Sequence, residues 1–221
     1  MHWEALAKRG DLSAPSCATC HGNHGASPPE VGSVAAVCGS CHVLFEDLFR
    51  KSPHQEAFAA AGQGACVVCH GNHAIHRPSS DMLAGSKSVC SQCHEDQSAE
   101  AQAGLKMASL IGKLGGSIGA SDSILERARR SGMEVSEALL RQVDAQENLV
   151  KARVAVHTFR VDAVQEVVHA GLAVTGETRR LGEDALRERD RRRLGLGVSL
   201  IAILAVMSGL WMAIRNMESG R

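Results

Sequence analysis

Between Ser98 and Arg193 apolar residues recur at helical spacing, with no cysteine or proline to interrupt them. Met107, Leu110, Ile111, Leu114 and Ile118 share one face, and Val150, Val154, His157, Val161, Val164 and Val168 follow in steps of four and three. Side chains so spaced line one side of an α-helix and have to be buried against another element. The pattern predicts two or three long helices in a stalk or bundle, antiparallel where the joins are short. Breaks are expected at Gly115-Gly116 and Gly132, with a new helix after Phe159 that Asp162 and Glu166 would help to start. Leu194 to Ile214 is uncharged over 21 positions, enough to cross a hydrocarbon layer that takes about 20 helical residues. Trp211 suits an interface position, Arg215 closes the span, and a charge-rich collar, Arg187 to Arg193, precedes it.

The first hundred residues have no such period. Aromatic residues make up 3 % of the chain, and Tyr is absent. So few large apolar side chains cannot build an ordinary core at this size, so something other than side chains must fill it. The charges balance at 24 basic and 24 acidic residues, which leaves no basic footprint for nucleic acid.

All eight cysteines lie in this segment, in four pairs each followed by histidine: Cys17-Ala-Thr-Cys20-His21, Cys38-Gly-Ser-Cys41-His42, Cys66-Val-Val-Cys69-His70 and Cys90-Ser-Gln-Cys93-His94. This is the attachment motif for c-type haem. The two thiols form thioethers with the two vinyl groups of one porphyrin, and the adjacent histidine binds the iron as proximal ligand. Zinc ribbons and a disulfide framework are the alternatives, but neither requires histidine after every second cysteine. Four covalently bound haems c are therefore expected.

An internal repeat nominates the distal ligands. Cys17 to His24 aligns with Cys66 to His73, both ending His-Gly-Asn-His, and each copy is followed by a second motif. Upstream, His2 lies 15 residues before Cys17 and His54 lies 12 before Cys66. His2, His24, His54 and His73 are thus the distal candidates, completing two bis-histidine haems per repeat. His76 is the alternative to His73, and which histidine serves which iron stays open. His157 reads as a core histidine bonded to a neighbouring helix, and His169 as a surface one.

On these motifs residues 2 to 94 resemble the multihaem c-type cytochromes with doubled Cys-x-x-Cys-His motifs, including the small tetrahaem class. The resemblance implies little regular structure, a core made largely of haem, low-potential bis-histidine irons and haems close enough for electron hopping. It covers less than half of the chain.

The expected architecture is a haem-packed, mostly irregular, short-helix tetrahaem domain, an all-α stalk or bundle, and one transmembrane helix. The bounds are 1–97 for the haem domain, with repeats at about 2–42 and 54–94, then 98–193, 194–214 and a tail at 215–221. Because c-type haem is attached outside the cytoplasm, the haem domain should face the periplasmic side of the cell membrane. The arginine collar alone would argue the reverse, but an upstream export signal can set orientation first. No such signal precedes His2, and Met1 stands where the second copy has Pro53, so further sequence upstream is expected. Four regular motifs with enough ligands favour electron transfer between redox partner proteins of a respiratory chain, possible partners including a membrane oxidoreductase complex, with no catalytic residue. The alternatives are a subunit of a nitrite- or hydroxylamine-type oxidoreductase, marked by an open iron position, and a haem-based membrane sensor. Intact mass of the purified chain, with a haem stain after denaturing electrophoresis, should report four covalent haems; bound zinc or fewer haems would contradict the motif reading.

Overall fold

The structure is a computed structural model that describes residues 2–24, 34–75, 77–85 and 88–220. His76 lies outside them. The described residues are helical or irregular and contain no strand, in keeping with the expected fold class. The chain divides into two compact units, Met1–Gly116 with Gln146–Leu172, and Ser117–Ala145 with Ala173–Arg221.

In the first unit the helices are short: a π-helical turn at Glu4–Lys8, α1 (Cys17–His21), α2 (Val43–Arg50), α3 (His54–Ala60) and α4 (Val67–His70), with 3₁₀ turns at Val34–Ser40, Ser80–Met82 and Cys90–Gln92. The sequence repeat becomes a repeated backbone shape. Ser16 opens α1 with a reciprocal capping box to Thr19. Both α1 and α4 end on their motif histidine and stop at a glycine, Gly22 (φ 72°, ψ −170°) and Gly71 (φ 72°, ψ −172°). Only glycine adopts that conformation without strain, which is why His-Gly-Asn-His recurs. A small aromatic nucleus holds the unit together: Phe49, 7 % exposed, has ring centres 5.7 Å from Phe58 and 6.4 Å from Phe159. Beneath it the buried Ser52 hydroxyl donates to the Phe49 carbonyl at 2.7 Å.

Three long helices follow, α5 (Ala99–Arg130), α6 (Ser136–Ala155) and α7 (Val161–Ser219). The predicted breaks at Gly132 and after Phe159 occur. Gly132 (φ 77°) sits in a reciprocal pair of bonds, its own N–H to Arg129 O at 3.0 Å and Met133 N–H to Ala128 O at 3.2 Å, the αL ending that closes many helices. Phe159 is left-handed at φ 55° and follows a 3₁₀ turn, Val156–Thr158. The break predicted at Gly115-Gly116 does not occur: Leu114 and Ile118 on either side are buried at 0 % and 7 % exposure. That packing outweighs a helix-propensity cost of about 1 kcal/mol per glycine. Met107, Ile111, Leu114 and Ile118 form the buried face as expected, whereas Val150 is 57 % exposed and leaves the seam that Val164 and Val168 continue.

In the second unit Leu125, Ala128, Val135, Ala138 and Leu186 form an apolar cluster. Gly182 lets α7 approach α5 closely, since a Cβ there would lie 2.7 Å from Ile124 Cγ2. Next to this cluster is a buried polar layer. Thr178 hydroxyl donates to Gln142 Oε1 at 2.7 Å and pairs with Ser121 Oγ at 2.8 Å, while Gln142 Nε2 donates to Asp122 Oδ1 at 2.9 Å and Ile118 O at 3.2 Å. A satisfied polar network of this kind fixes helix register, because a slip would bury its groups unpaired.

α7 continues through the arginine collar into the apolar span without a break. Arg179 pairs with Glu183 at 2.9 Å and Arg192 with Glu188 at 2.8 Å, both at helical i,i+4 spacing. Residues 190–220 are all exposed. At about 1.5 Å per residue the 21 uncharged positions extend about 30 Å, the thickness of a bilayer's hydrocarbon core. Arg215 sits 4.9 Å over the Trp211 ring, a cation–π pair suited to an interface.

Replacing Thr178 with Val should strand the Gln142 and Ser121 groups and lower stability by about 1–3 kcal/mol. Thermal unfolding of the detergent-solubilised chain, followed by circular dichroism, checks this; an unchanged midpoint would mean that the layer contributes nothing.

Candidate haem-attachment sites

Each motif folds into the same single turn. The histidine N–H donates to the carbonyl of the first cysteine, His42 to Cys38 at 2.9 Å, His70 to Cys66 at 3.1 Å and His94 to Cys90 at 2.9 Å, and the first motif forms α1 itself. In a helical turn, positions i, i+3 and i+4 share a face. Both thiols and the imidazole of each motif are thereby presented together, as attachment of one porphyrin requires. No disulfide joins any of the eight cysteines. Among the described residues no three His, Cys, Asp or Glu side chains converge as a bare-metal site.

The histidines pair across the fold. His42 faces His2 with ring centres 6.1 Å apart, His94 faces His54 at 6.0 Å, and His21 faces His73 at 5.6 Å with the two Nε2 atoms 3.3 Å apart. A metal–imidazole bond of about 2 Å sets the ligating nitrogens of two trans histidines about 4 Å apart and their ring centres about 6 Å apart. Rotation about the line through the nitrogens is free, so parallel and perpendicular planes both suit; those of His2 and His42 lie 25° apart and those of His54 and His94 90° apart. His54 Nδ1 is buried with no hydrogen-bond partner among the described residues. The residues present therefore fit haem.

The His21–His73 pair joins the two sequence repeats. His24 is exposed, at φ 54°, and among the described residues faces none of the motif histidines. The remaining one, His70, faces His157, with ring centres 6.1 Å apart and planes within 14°. The bond to a neighbouring helix that its place in the seam suggested for His157 is not seen among the described residues; its Nδ1 is 3.1 Å from the Val154 carbonyl in its own turn. His169 is exposed, as expected.

Burial pushes the His2, His54, His70 and His157 imidazoles down from their ordinary pKa, with the nearby His42 adding at His2, His94 at His54 and His157 at His70. The neutral ring is the form that offers a lone pair to iron. Burial likewise raises the Cys66 thiol to about 11, with Cys38 adding to it, and raises Cys20 and Cys69. Cys38 hydrogen-bonds Cys66, and the electrostatic influence of Cys38 and Cys41 reaches Cys20 as that of Cys90 and Cys93 reaches Cys69. Successive motifs are thus neighbours in space in chain order.

Residues 11–95 match the family model described as Cytochrome c3. No curated protein and no solved structure matches the chain. The match bears out the resemblance to multihaem c-type cytochromes over that segment, which carries all four Cys-x-x-Cys-His motifs.

Replacing His73 with Ala should leave the iron at His21 without its facing imidazole and turn one haem high-spin. Visible and electron paramagnetic resonance spectra read the change; a fully low-spin variant would remove His73 from the ligand set.

Proposed function

We propose that the chain is a membrane-anchored tetrahaem c-type cytochrome that passes electrons between redox partner proteins of a respiratory chain on the exported side of the membrane. The observation that carries this reading is the pairing of motif histidines with second histidines at the spacing of two trans iron ligands. Cys17 and Cys20, Cys38 and Cys41, Cys66 and Cys69, and Cys90 and Cys93 would hold the porphyrins, with His21, His42, His70 and His94 as proximal ligands. His2, His54 and His73 would complete three irons from the distal side.

A bound haem would supply a one-electron carrier whose iron changes charge without losing a ligand. The chain's own part is to fix both imidazoles of each pair, with burial favouring the neutral ring at His2, His54 and His70. Two nitrogen ligands close the iron to substrate, which favours transfer over catalysis. The adjacency of successive motifs gives the electron a route in chain order. Thioether formation places the haem domain outside the cytoplasm, and the exposed apolar part of α7 serves as the anchor, its length supporting insertion that the charged stalk could not sustain alone.

Deleting residues 194–221 should release a soluble cytochrome that keeps all four haems, and protease added to intact spheroplasts of the native host should digest the stalk. Protection of the stalk would reverse the topology, and a truncated protein still sedimenting with membranes would remove 194–214 as the anchor.

A further inference from the structure

We infer that His157, carried on the join between α6 and α7, is the distal ligand of the iron whose proximal ligand is His70, so that the third haem is bound from outside the cytochrome segment. The inference rests on the tetrahaem reading and completes its ligand set.

Three independent observations point to it. The spacing of the two rings is that of trans ligands on one iron, 6.1 Å between centres with planes 14° apart. The second observation concerns the proton on His157. A carbonyl oxygen can only accept, so the 3.1 Å contact between Nδ1 and Val154 O puts the ring hydrogen on Nδ1. Nε2 is left with a free lone pair, and a hydrogen bond from the other ring nitrogen to a backbone carbonyl is the usual support of a metal-bound histidine. Third, the ring is held in place: Phe45 of α2 meets it edge-on at 4.9 Å and 81°, and α2 packs against the Val156–Thr158 turn that carries it.

The turn itself is shaped for this contact. Phe159 takes a left-handed conformation, φ 55°, that is costly for a bulky residue and persists only where its surroundings impose it. Its ring centre lies 4.0 Å from that of His54, the histidine facing His94, and 6.4 Å from that of Phe49. One helical tip thus touches two haem positions, presenting His157 to one and bracing a ligand of the other. The competing candidate for the third iron is His24, which is exposed and faces no motif histidine among the described residues. With His157 included, each proximal histidine has one partner: His2 with His42, His73 with His21, His157 with His70 and His54 with His94.

The test uses the full chain in detergent, with haem content first confirmed by intact mass on the unmutated protein. A shortfall there would count against the tetrahaem reading rather than against His157. In His157→Gly one haem in four should become high-spin and, once reduced, bind one equivalent of carbon monoxide, where the unmutated protein binds none. Added imidazole should restore the low-spin spectrum. His157→Met, which keeps a ligand of similar reach, should stay low-spin with one haem at a raised potential, since methionine–histidine ligation raises it. This second variant decides the matter if the glycine variant fails to mature. His24→Ala should match the unmutated protein. Unchanged spectra and potentials in His157→Met, or a high-spin haem in His24→Ala, would overturn the assignment.

Discussion

In the bis-histidine arrangement proposed above, two imidazoles on opposite sides of one iron would hold their ligating nitrogens about 4 Å apart, and the amino-terminal unit brings its histidines together in pairs that such a constraint would call for. Each pair draws its members from distant parts of the chain, as with His21 and His73 or His54 and His94. Bound to iron as proposed, the pairs would serve as long-range staples in a segment with few apolar side chains to do that work. The local machinery is correspondingly small. One helical turn per motif sets two thiols and a histidine on one face, and Gly22 and Gly71 end that turn in a conformation closed to other residues.

The aromatic nucleus shows how this unit is tied to the helices. Phe49 joins α2 to Phe58 of α3 and to Phe159 at the tip between α6 and α7. Phe45 of the same α2 meets His157. The helices thus take part in building the haem environment as well as leading to the apolar span. In the proposed ligation such an arrangement would favour low reorganisation, because an iron held between ligands on several braced elements would have little freedom to move when its charge changes.

The helical unit meets a different demand. Its interior is rich in small and polar residues, Ser121, Gln142, Thr175 and Thr178 among them, with Gly182 allowing close approach. Bulky apolar packing alone would leave the register of three helices loosely set, whereas a hydrogen-bonded layer with one satisfied arrangement sets it. α7 then carries that register through the collar into the span as a single helix.

Local chemistry determined much of this protein from its sequence. The attachment motifs, the helical periodicity, the breaks at Gly132 and Phe159 and the uncharged span each depend on residues a few positions apart, whose spacing is fixed by covalent geometry and helical pitch. The repeat likewise nominated His2, His24, His54 and His73 as distal partners of motif histidines. Tertiary structure decided which ring meets which. Repeat symmetry paired His24 with His73 as equivalents, yet the fold places His73 against His21 of the other repeat and leaves His24 exposed. Spacing along a helix put His157 on an apolar seam without saying what would face it, because the contact with His70 comes from tertiary packing, with Phe45 against His157 and Phe49 against Phe159. The continuous helix through Gly115-Gly116 has the same cause: burial of Leu114 and Ile118 against other helices outweighs a local preference that the sequence alone displays.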